Sequence, residues 1–538
     1  MKFLIMQKDS NNCRRRRRHC LVTVFAFHVG CIVSASATMA QDPNAILEDS
    51  VIKVVEACER SVVSIARFKP YPVEQNHDEQ KNFILPRPGR EARDVDVQPN
   101  DFGAGCLISP PNLPDRLVLT NFHVVRGGPI FPKFTADDGT ELKIKFSDRR
   151  GCRGSIIAAD PRSDLAVLQL DWDKSEIKPS DFPSMKWETA ATPRKGQFVV
   201  LLGNPYAIAR DGSASVSWGL ISNLTREPIS FSRNQFLEQD DVAKGAMLYR
   251  LGAVMQLDAR LNLGLSGGAV LNLKGELIGI STSLAAIEGY ERSVGFALPI
   301  DTLTRRIIRT LLAGQEVEYG MLGIRPGEFG GKEFQGLRTG LKQQSAAEVL
   351  DVTPGSPAAK AKILLHDLIV EVDGKPVLSR ADLMRMVGLN APGSKIDVTV
   401  WRRGEWPSRL NVKVTLGKWP VLDDEGIIET NPRYEPWRGL SVDYATARDR
   451  FRDAASEMQG VLITKVNANS PADAAKLQPG NFITHVNNSL VQTPAEFHAA
   501  VKKASGIVEV KLLGNSQSSI PEVHKGRVVR VPESVIAE

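Results

Sequence analysis

Three residues of the 538 could together break and remake an acyl bond: His123 in LVLTNFHVV, Asp164 in PRSDLAVLQL and Ser266 in NLGLSGGAVLN. Acyl transfer needs a hydroxyl nucleophile, an imidazole to take its proton, and a carboxylate that fixes the tautomer and steadies the imidazolium. Singly, each has an ordinary structural explanation: a packed histidine, a cap ahead of a strand, a glycine-rich turn. Their chain order discriminates, because Asp-His-Ser and Ser-Asp-His orders mark other hydrolase architectures. The separations of 41 and then 102 residues let the three come from two halves of one domain. Backbone N–H groups that stabilise an oxyanion must converge on one point, and Gly264 tolerates the turn this requires. The donors are expected among Gly264, Leu265 and Ser266, with the Gly264 and Ser266 amides foremost.

The elements that must hold these residues are short strands. VVSIARF (62–68), AGCLIS (104–109), RLVLTN (116–121), DLAVLQL (164–170), FVVLLG (198–203), SVSWGLIS (215–222), SGGAVLN (266–272) and ELIGIS (276–281) are rich in Val, Ile and Leu and are bounded by turn residues. Many short strands at such spacing predict a sandwich or barrel, so the fold class is mainly β. Two stretches interrupt the pattern: a polar, proline-containing loop from Lys69 to Asp101, and residues 223–250. DTLTRRIIRTLLAG (301–314) predicts a closing helix, with Asp301 as N-cap and Gly314 as stop.

Beyond that helix the chain repeats itself. VLDVTPGSPAAKAKILLHDLIVEVDG (349–374) matches VLITKVNANSPADAAKLQPGNFITHVNN (461–488) at an offset of 114, which pairs Ile369 with Ile483, Val372 with Val486 and Leu383 with Phe497. A period this long means two copies of a small domain. Pro420, Pro432, Pro436 and the acidic run at 423–425 give the intervening stretch a linker composition.

The charge balance of 68 Lys+Arg against 62 Asp+Glu sits in the first 40 residues, where Lys2, Lys8 and Arg14 to Arg18 face only Asp9. A body carrying 61 charges of each sign argues against nucleic-acid binding. The basic run precedes the apolar CLVTVFAFHVGCIVSA and an Ala-x-Ala site at Ala35–Ala37, the layout of a secretory signal peptide. Sixteen residues containing His28 are short for a membrane span, which takes about 20. Membrane association stays open, as does a twin-arginine route. After cleavage only Cys58, Cys106 and Cys152 remain, which is neither a disulfide framework nor a zinc pattern. Their disulfide status stays open. No metal cluster, phosphate loop or dinucleotide fingerprint occurs, so no cofactor and no metal are expected.

The segments TNFHVV, SDLAVLQL, LGNPY, GLSGGAVLNLKGELIGIST and VGFALPID together resemble the HtrA/Deg family of trypsin-like serine proteases, over roughly residues 48–515. The resemblance implies a chymotrypsin-like double β-barrel followed by two PDZ domains, small β-barrels with capping helices. It gives a signal peptide at 1–40, a protease domain at 41–316, PDZ domains at 317–417 and 437–532, and a linker at 418–436. It implies His123 as general base, Asp164 as its partner, Ser266 as nucleophile, and an exported, ATP-independent endoprotease acting on unfolded or damaged proteins. Homo-oligomers, trimers or multiples of them, follow from the same resemblance.

YGMLGI (319–324) is similar to a PDZ carboxylate-binding loop, whose backbone amides hold a peptide C-terminus added as a strand. Gly320, Met321 and Leu322 are the expected cradle, and RGLSV (438–442) takes the loop's place in the second copy. The chain departs from the family text at Leu265, where Asn is usual, and at Leu263 and Ala269. Arg260 stands where trypsin-like sites that select basic residues carry an acid, so a taste for Lys or Arg is disfavoured. The alternative reading is a catalytically silent scaffold or holdase built on the PDZ domains.

Overall fold

The computed structural model describes residues 42–68, 101–110, 116–126, 141–173, 177–204, 212–226, 254–261, 264–282, 294–336, 342–404, 409–421, 427–448, 459–513 and 527–534. The expected signal peptide, the polar loop up to residue 100, residues 227–250 of the second interruption, Leu263, and the acidic run of the linker lie outside them.

Helix α1 (Pro43–Cys58) leads into β1 (Val62–Phe68), β2 (Asp101–Ile108), β3 (Leu117–Asn121), the short helix α2 (Phe122–Arg126), β4 (Glu141–Lys145), β5 (Gly151–Asp160) and β6 (Leu165–Leu170). The six strands run β5-β4-β1-β2-β3-β6, and β6 returns to pair with β5, which closes a first barrel. Strand β4 shows why this sequence curls: Leu142 and Ile144 point into the core while Glu141, Lys143 and Lys145 face outward. Strands β7 (Phe198–Gly203), β8 (Ser215–Arg226), β9 (Val254–Leu257), β10 (Ala269–Leu271), β11 (Leu277–Thr282) and β12 (Gly295–Pro299) close a second barrel in the order β10-β11-β12-β9-β8-β7.

One expectation is corrected here. The interruption does not begin at residue 223, because β8 continues to Arg226 by bending at two register shifts that keep it paired with β9.

The two barrels share a core. Cys106 and Leu119 from the first meet Val200, Leu202 and Ile280 from the second, and Val54 and Cys58 of α1 join them. Helix α3 (Thr302–Leu312) closes this core with Leu303, Ile307 and Leu311. Its start and stop follow the sequence: the Asp301 carboxylate accepts the Thr304 N–H at 3.0 Å, and Gly314 sits at φ +70°.

The repeated region folds twice in the same way. The first copy contains β13 (Gly320–Met321), β14 (Ile324–Gly330), α4 (Gly331–Gly336), β15 (Ser345–Val352), α5 (Pro357–Lys360), β16 (Leu368–Val372), β17 (Lys375–Pro376), α6 (Arg380–Gly388), β18 (Lys395–Trp401), β19 (Arg409–Thr415) and β20 (Gly417–Lys418). After β21 (Ile428–Glu429), the second contains β22 (Leu440–Tyr444), β23 (Val461–Val466), α7 (Pro471–Ala474), β24 (Phe482–Val486), β25 (Ser489–Leu490), α8 (Pro494–Lys502), β26 (Val508–Leu512) and β27 (Val528–Val531). Their sheets run β14-β15-β16-β18-β19 and β22-β23-β24-β26-β27. Ser356 and Ser470, matched in the sequence, cap equivalent helices by accepting from Ala359 N and Asp473 N.

The stretch of linker composition is no free spacer. Strand β21 pairs with β5, Ile428 opposite Ala159, and so adds a seventh strand to the sheet of the first barrel.

Candidate active site

Strand β3 delivers the chain to α2, and its first turn carries His123. The turn between β5 and β6 delivers Asp164, a non-glycine residue held at φ +54°. That backbone is uncommon for an aspartate and persists only when its surroundings fix it. They do: the Asp164 carbonyl accepts from Phe122 N at 2.9 Å and from Asn121 Nδ2 at 3.0 Å. The carboxylate takes the His123 backbone N–H at 3.0 Å and stands 2.8 Å (Oδ2) and 3.0 Å (Oδ1) from His123 Nδ1. With Nδ1 engaged as donor, Nε2 is left as the proton-accepting nitrogen. Asp164 is buried, whereas the imidazole keeps 14% of its surface in solvent.

Ser266 belongs to the second barrel, on the loop that opens β10, but its backbone is docked on the first. Ser266 O accepts from Ala104 N of β2 at 2.8 Å. A Cβ on Gly103 would lie 2.6 Å from Val124 of α2 and 2.9 Å from Ser266 O, so the histidine helix and the serine loop meet at one point of β2.

The glycines after the serine are dictated by this docking. Gly267 has φ +83°, and a Cβ there would stand 2.1 Å from Ala104 O and 2.4 Å from Thr120 Oγ1. Gly267→Ala is therefore expected to push the loop off β2, at a cost of about 1–2 kcal/mol from the dihedral alone. A shift of about 1 Å in Ser266 is worth roughly 100-fold in turnover, to be read as kcat on a peptide substrate.

Gly264 has φ +90°, which suits a turn that gathers amides. The Gly267 N–H is committed to Ser281 O at 2.9 Å and the Gly268 N–H to Leu265 O at 3.0 Å, so both amides after the serine are spent on the fold. Leu265 is buried against Gly203, the last residue of β7, and Ser281 Oγ donates to its carbonyl. The departure from the family's Asn is thus a packing residue. Arg260 lies exposed.

All three described cysteines are free thiols. Cys106 donates to Gly267 O at 3.4 Å beneath the serine loop, and burial pushes its pKa far up, as burial pushes up Cys58 and raises Cys152 to about 11.

Sequence reasoning missed what braces the Asp164 turn. Buried Asp160 receives the Tyr319 hydroxyl at 2.5 Å, Arg162 Nε at 2.9 Å and Ser163 N at 3.1 Å. Arg162, also buried, reaches Val317 O at 2.5 Å, Glu316 at 3.3 Å and Trp419 O at 3.4 Å. Lys418, fully buried, then joins Glu316 and Asp443 at 2.8 Å each, and Glu318 at 3.4 Å. Burial would raise the Glu316 carboxyl, but Lys418 and Arg162 outweigh it and hold it at about 2. Burial and the Asp160 carboxylate push the Tyr319 phenol well up. A chain of opposite charges thus runs from the turn before Asp164 to the second copy. Of its charged members only Lys418 stands in the stretch of linker composition, where a lone lysine among apolar neighbours is the one local hint of burial.

In the first copy the structure corrects one cradle residue. The Gly320 N–H is turned toward the end of α6, donating to Asn390 O at 2.9 Å, so it is spent on the fold. Met321 and Leu322 do border a groove between β14 and α6, together with Gly323 and Ile324. Gly323, at φ +75° with a hypothetical Cβ 2.3 Å from Ser356, is the residue that shapes the loop.

Comparison with known proteins agrees with this geometry. The model of a trypsin-like peptidase domain matches residues 103–280 and that of a PDZ domain matches residues 320–414. A probable periplasmic serine endoprotease, DegP-like, from Pseudomonas fulva is 30% identical over 414 residues, covering 76% of this chain and 75% of that protein. A protein of the same description from Brucella suis biovar 1 is 30% identical over 438 residues, with 80% and 74% covered. The periplasmic pH-dependent serine endoprotease DegQ of Escherichia coli K12 is 28% identical over 506 residues, with 93% and 97% covered.

Proposed function

We propose, for a chain that belongs to the HtrA/Deg family of trypsin-like serine endoproteases, that Ser266 attacks the scissile carbonyl, His123 takes and returns the proton, and Asp164 orients and stabilises the imidazolium. The protein is a serine endopeptidase. The observation that carries the assignment of roles is the His123 Nδ1–Asp164 contact at 2.8 Å on one barrel, with the serine loop of the other barrel bonded to β2 beside it. The Gly264 and Ser266 amides are the proposed oxyanion donors, with Leu265 fixing the turn between them. Donors of this kind act in a dry site, where they are already aimed when negative charge develops.

The substrates proposed are unfolded or damaged proteins, and the location proposed is the periplasm, reached through a cleaved signal at 1–40. The relatives named periplasmic endoproteases support the location, the substrate class is proposed on family grounds, and the chemistry proposed uses no cofactor or ATP. We read residues 41–316 as the protease domain and 317–417 as the PDZ domain that takes peptide C-termini on the Met321–Ile324 loop. Residues 437–532 are read as a second domain of the same fold, supported by the shared strand order. Assembly into trimers or multiples of them is proposed on family grounds. The paired His123 and Asp164 count against a silent scaffold.

The test uses unfolded casein and a fluorophosphonate, which phosphonylates an activated serine. Casein is expected to be cut without ATP, cutting should stop on treatment, and the adduct should map to the peptide containing Ser266. Cleavage that persists in fully labelled protein, or an adduct on another serine, would overturn the assignment.

A further inference from the structure

The groove of the first copy is closed at its loop end by the second copy. A cavity of about 200 Å³ is lined mainly by the first copy, with Met321–Ile324, Leu383 and Val387 among its residues, and one of its walls is Trp419, Pro420, Ala445 and Thr446. Ala445 and Thr446 follow β22 of the second copy. They are fixed in place: Thr446 Oγ1 accepts from Lys418 N at 2.9 Å and donates to Lys418 O at 2.7 Å, while Val421 N donates to Ala447 O at 2.9 Å. Tyr444 OH, on the same segment, donates to Pro392 O of the first copy at 3.2 Å.

The matching place in the second copy is covered by its own chain. Gly439 (φ +81°) presses on Ser470 as Gly323 presses on Ser356, and Ala472 N donates to Arg438 O as Ala358 N donates to Leu322 O. By this match Trp437 and Leu440 stand where Met321 and Ile324 do. Trp437 and Leu440 exchange two backbone hydrogen bonds, at 2.9 and 2.8 Å, which folds the loop onto itself. Trp437 packs edge-on against Phe497 at 5.8 Å, and Tyr434 stacks on His498 at 4.5 Å. Phe497 is the counterpart of Leu383, which lines the open groove.

We infer that the two repeats form one composite peptide site per chain: the first supplies the groove, and the second supplies the end wall against which the last side chain of a bound C-terminus rests. This deepens the PDZ reading above and rests on it. Among the described residues β14 pairs only with β15, so one edge is open to an added strand. The closed end admits a chain terminus rather than a continuing segment. The lining has no charged side chain, and the volume falls below that of pockets for drug-sized molecules, so the occupant's end is a single apolar side chain.

The test uses full-length protein carrying Ser266→Ala, so that peptide is not digested, and a decapeptide with a free carboxyl whose last residue is p-benzoylphenylalanine. One peptide should bind per chain, and irradiation should label both the 321–324 and the 445–446 segments. Ala445→Leu, which narrows the wall, should weaken binding at least tenfold; because Ala445 also packs on Leu462 and Phe482, the labelling pattern of the unaltered wall is the independent readout. Label confined to the first copy with unchanged affinity in Ala445→Leu, or two equivalent peptides per chain, overturns the composite site and leaves the PDZ reading standing. No saturable binding, with the carboxyl free or amidated, overturns the PDZ reading and the composite site together.

Discussion

Ser266→Ala should lower kcat for peptide-bond hydrolysis by about 10⁶-fold while leaving the fold intact, the scale seen when a unit of this kind loses its nucleophile. The loop should survive because what docks it is backbone, Ser266 O on Ala104 N, together with the glycine that lets Gly267 approach Ala104. Asp164→Asn should cost less, about 10⁴-fold, by presenting an amide N–H to His123 and so favouring the wrong tautomer. The Asp164 carbonyl would still hold Phe122 and Asn121, so the loss should fall on kcat and not on the unfolding midpoint. Steady-state hydrolysis and thermal melts of both variants check this. Equal losses in rate and stability for Asp164→Asn would mean that the carboxylate mainly builds the turn.

The second large effect concerns the buried charges. Lys418→Met removes the buried cation shared by Glu316, Glu318 and Asp443 and leaves each with a single arginine, Arg162, Arg433 and Arg448 respectively. Removing one partner of a buried ionic group costs about 3–5 kcal/mol, because the remaining charges stay desolvated. A urea midpoint should fall accordingly, and adding Asp443→Leu to Lys418→Met should restore part of the loss. The pH dependence has a definite sign. Glu316 titrates at about 2 when folded, below its ordinary 4.5, so its stabilising contribution is complete above about pH 4.5 and is lost as pH falls toward 2. Between pH 7 and 5 the junction should not weaken, and Lys418→Met should flatten the acid loss below pH 4.5. Unfolding curves at pH 7, 5 and 3 in both proteins are the measurement.

How much of this was legible depends on what each residue signals. His123, Asp164 and Ser266 announce themselves by type and order, and the glycines by the turn they permit. The barrel strands read from Val, Ile and Leu runs because alternation and bounding turns are local properties. Helix α1 did not, since Val51, Ile52, Val54 and Val55 are β-branched and favour strands; packing of Val54 and Cys58 in the shared core overrides that preference. The charge junction was illegible for another reason. Glu316 and Asp443 look like surface residues until tertiary contacts enclose them, and the apolar neighbours of Lys418 hint at its burial without telling which charges meet it. Of the expected cradle, Gly320 alone is spent on the fold, because its N–H meets Asn390 O, a contact between positions far apart in the chain.

Strand β21 bears on when this protein becomes whole. A chain made from its N-terminus completes both barrels and the first repeat while the outer edge of β5 is still bare, and only then do Ile428 and Glu429 arrive to pair with Ala158 and Ala159. The same moment brings Asp443 within reach of Lys418, and with it the last counter-charge of the network that steadies the turn before Asp164. A molecule cut before residue 427 would therefore keep His123, Asp164 and Ser266 while leaving β5 with a bare edge and Lys418 without Asp443.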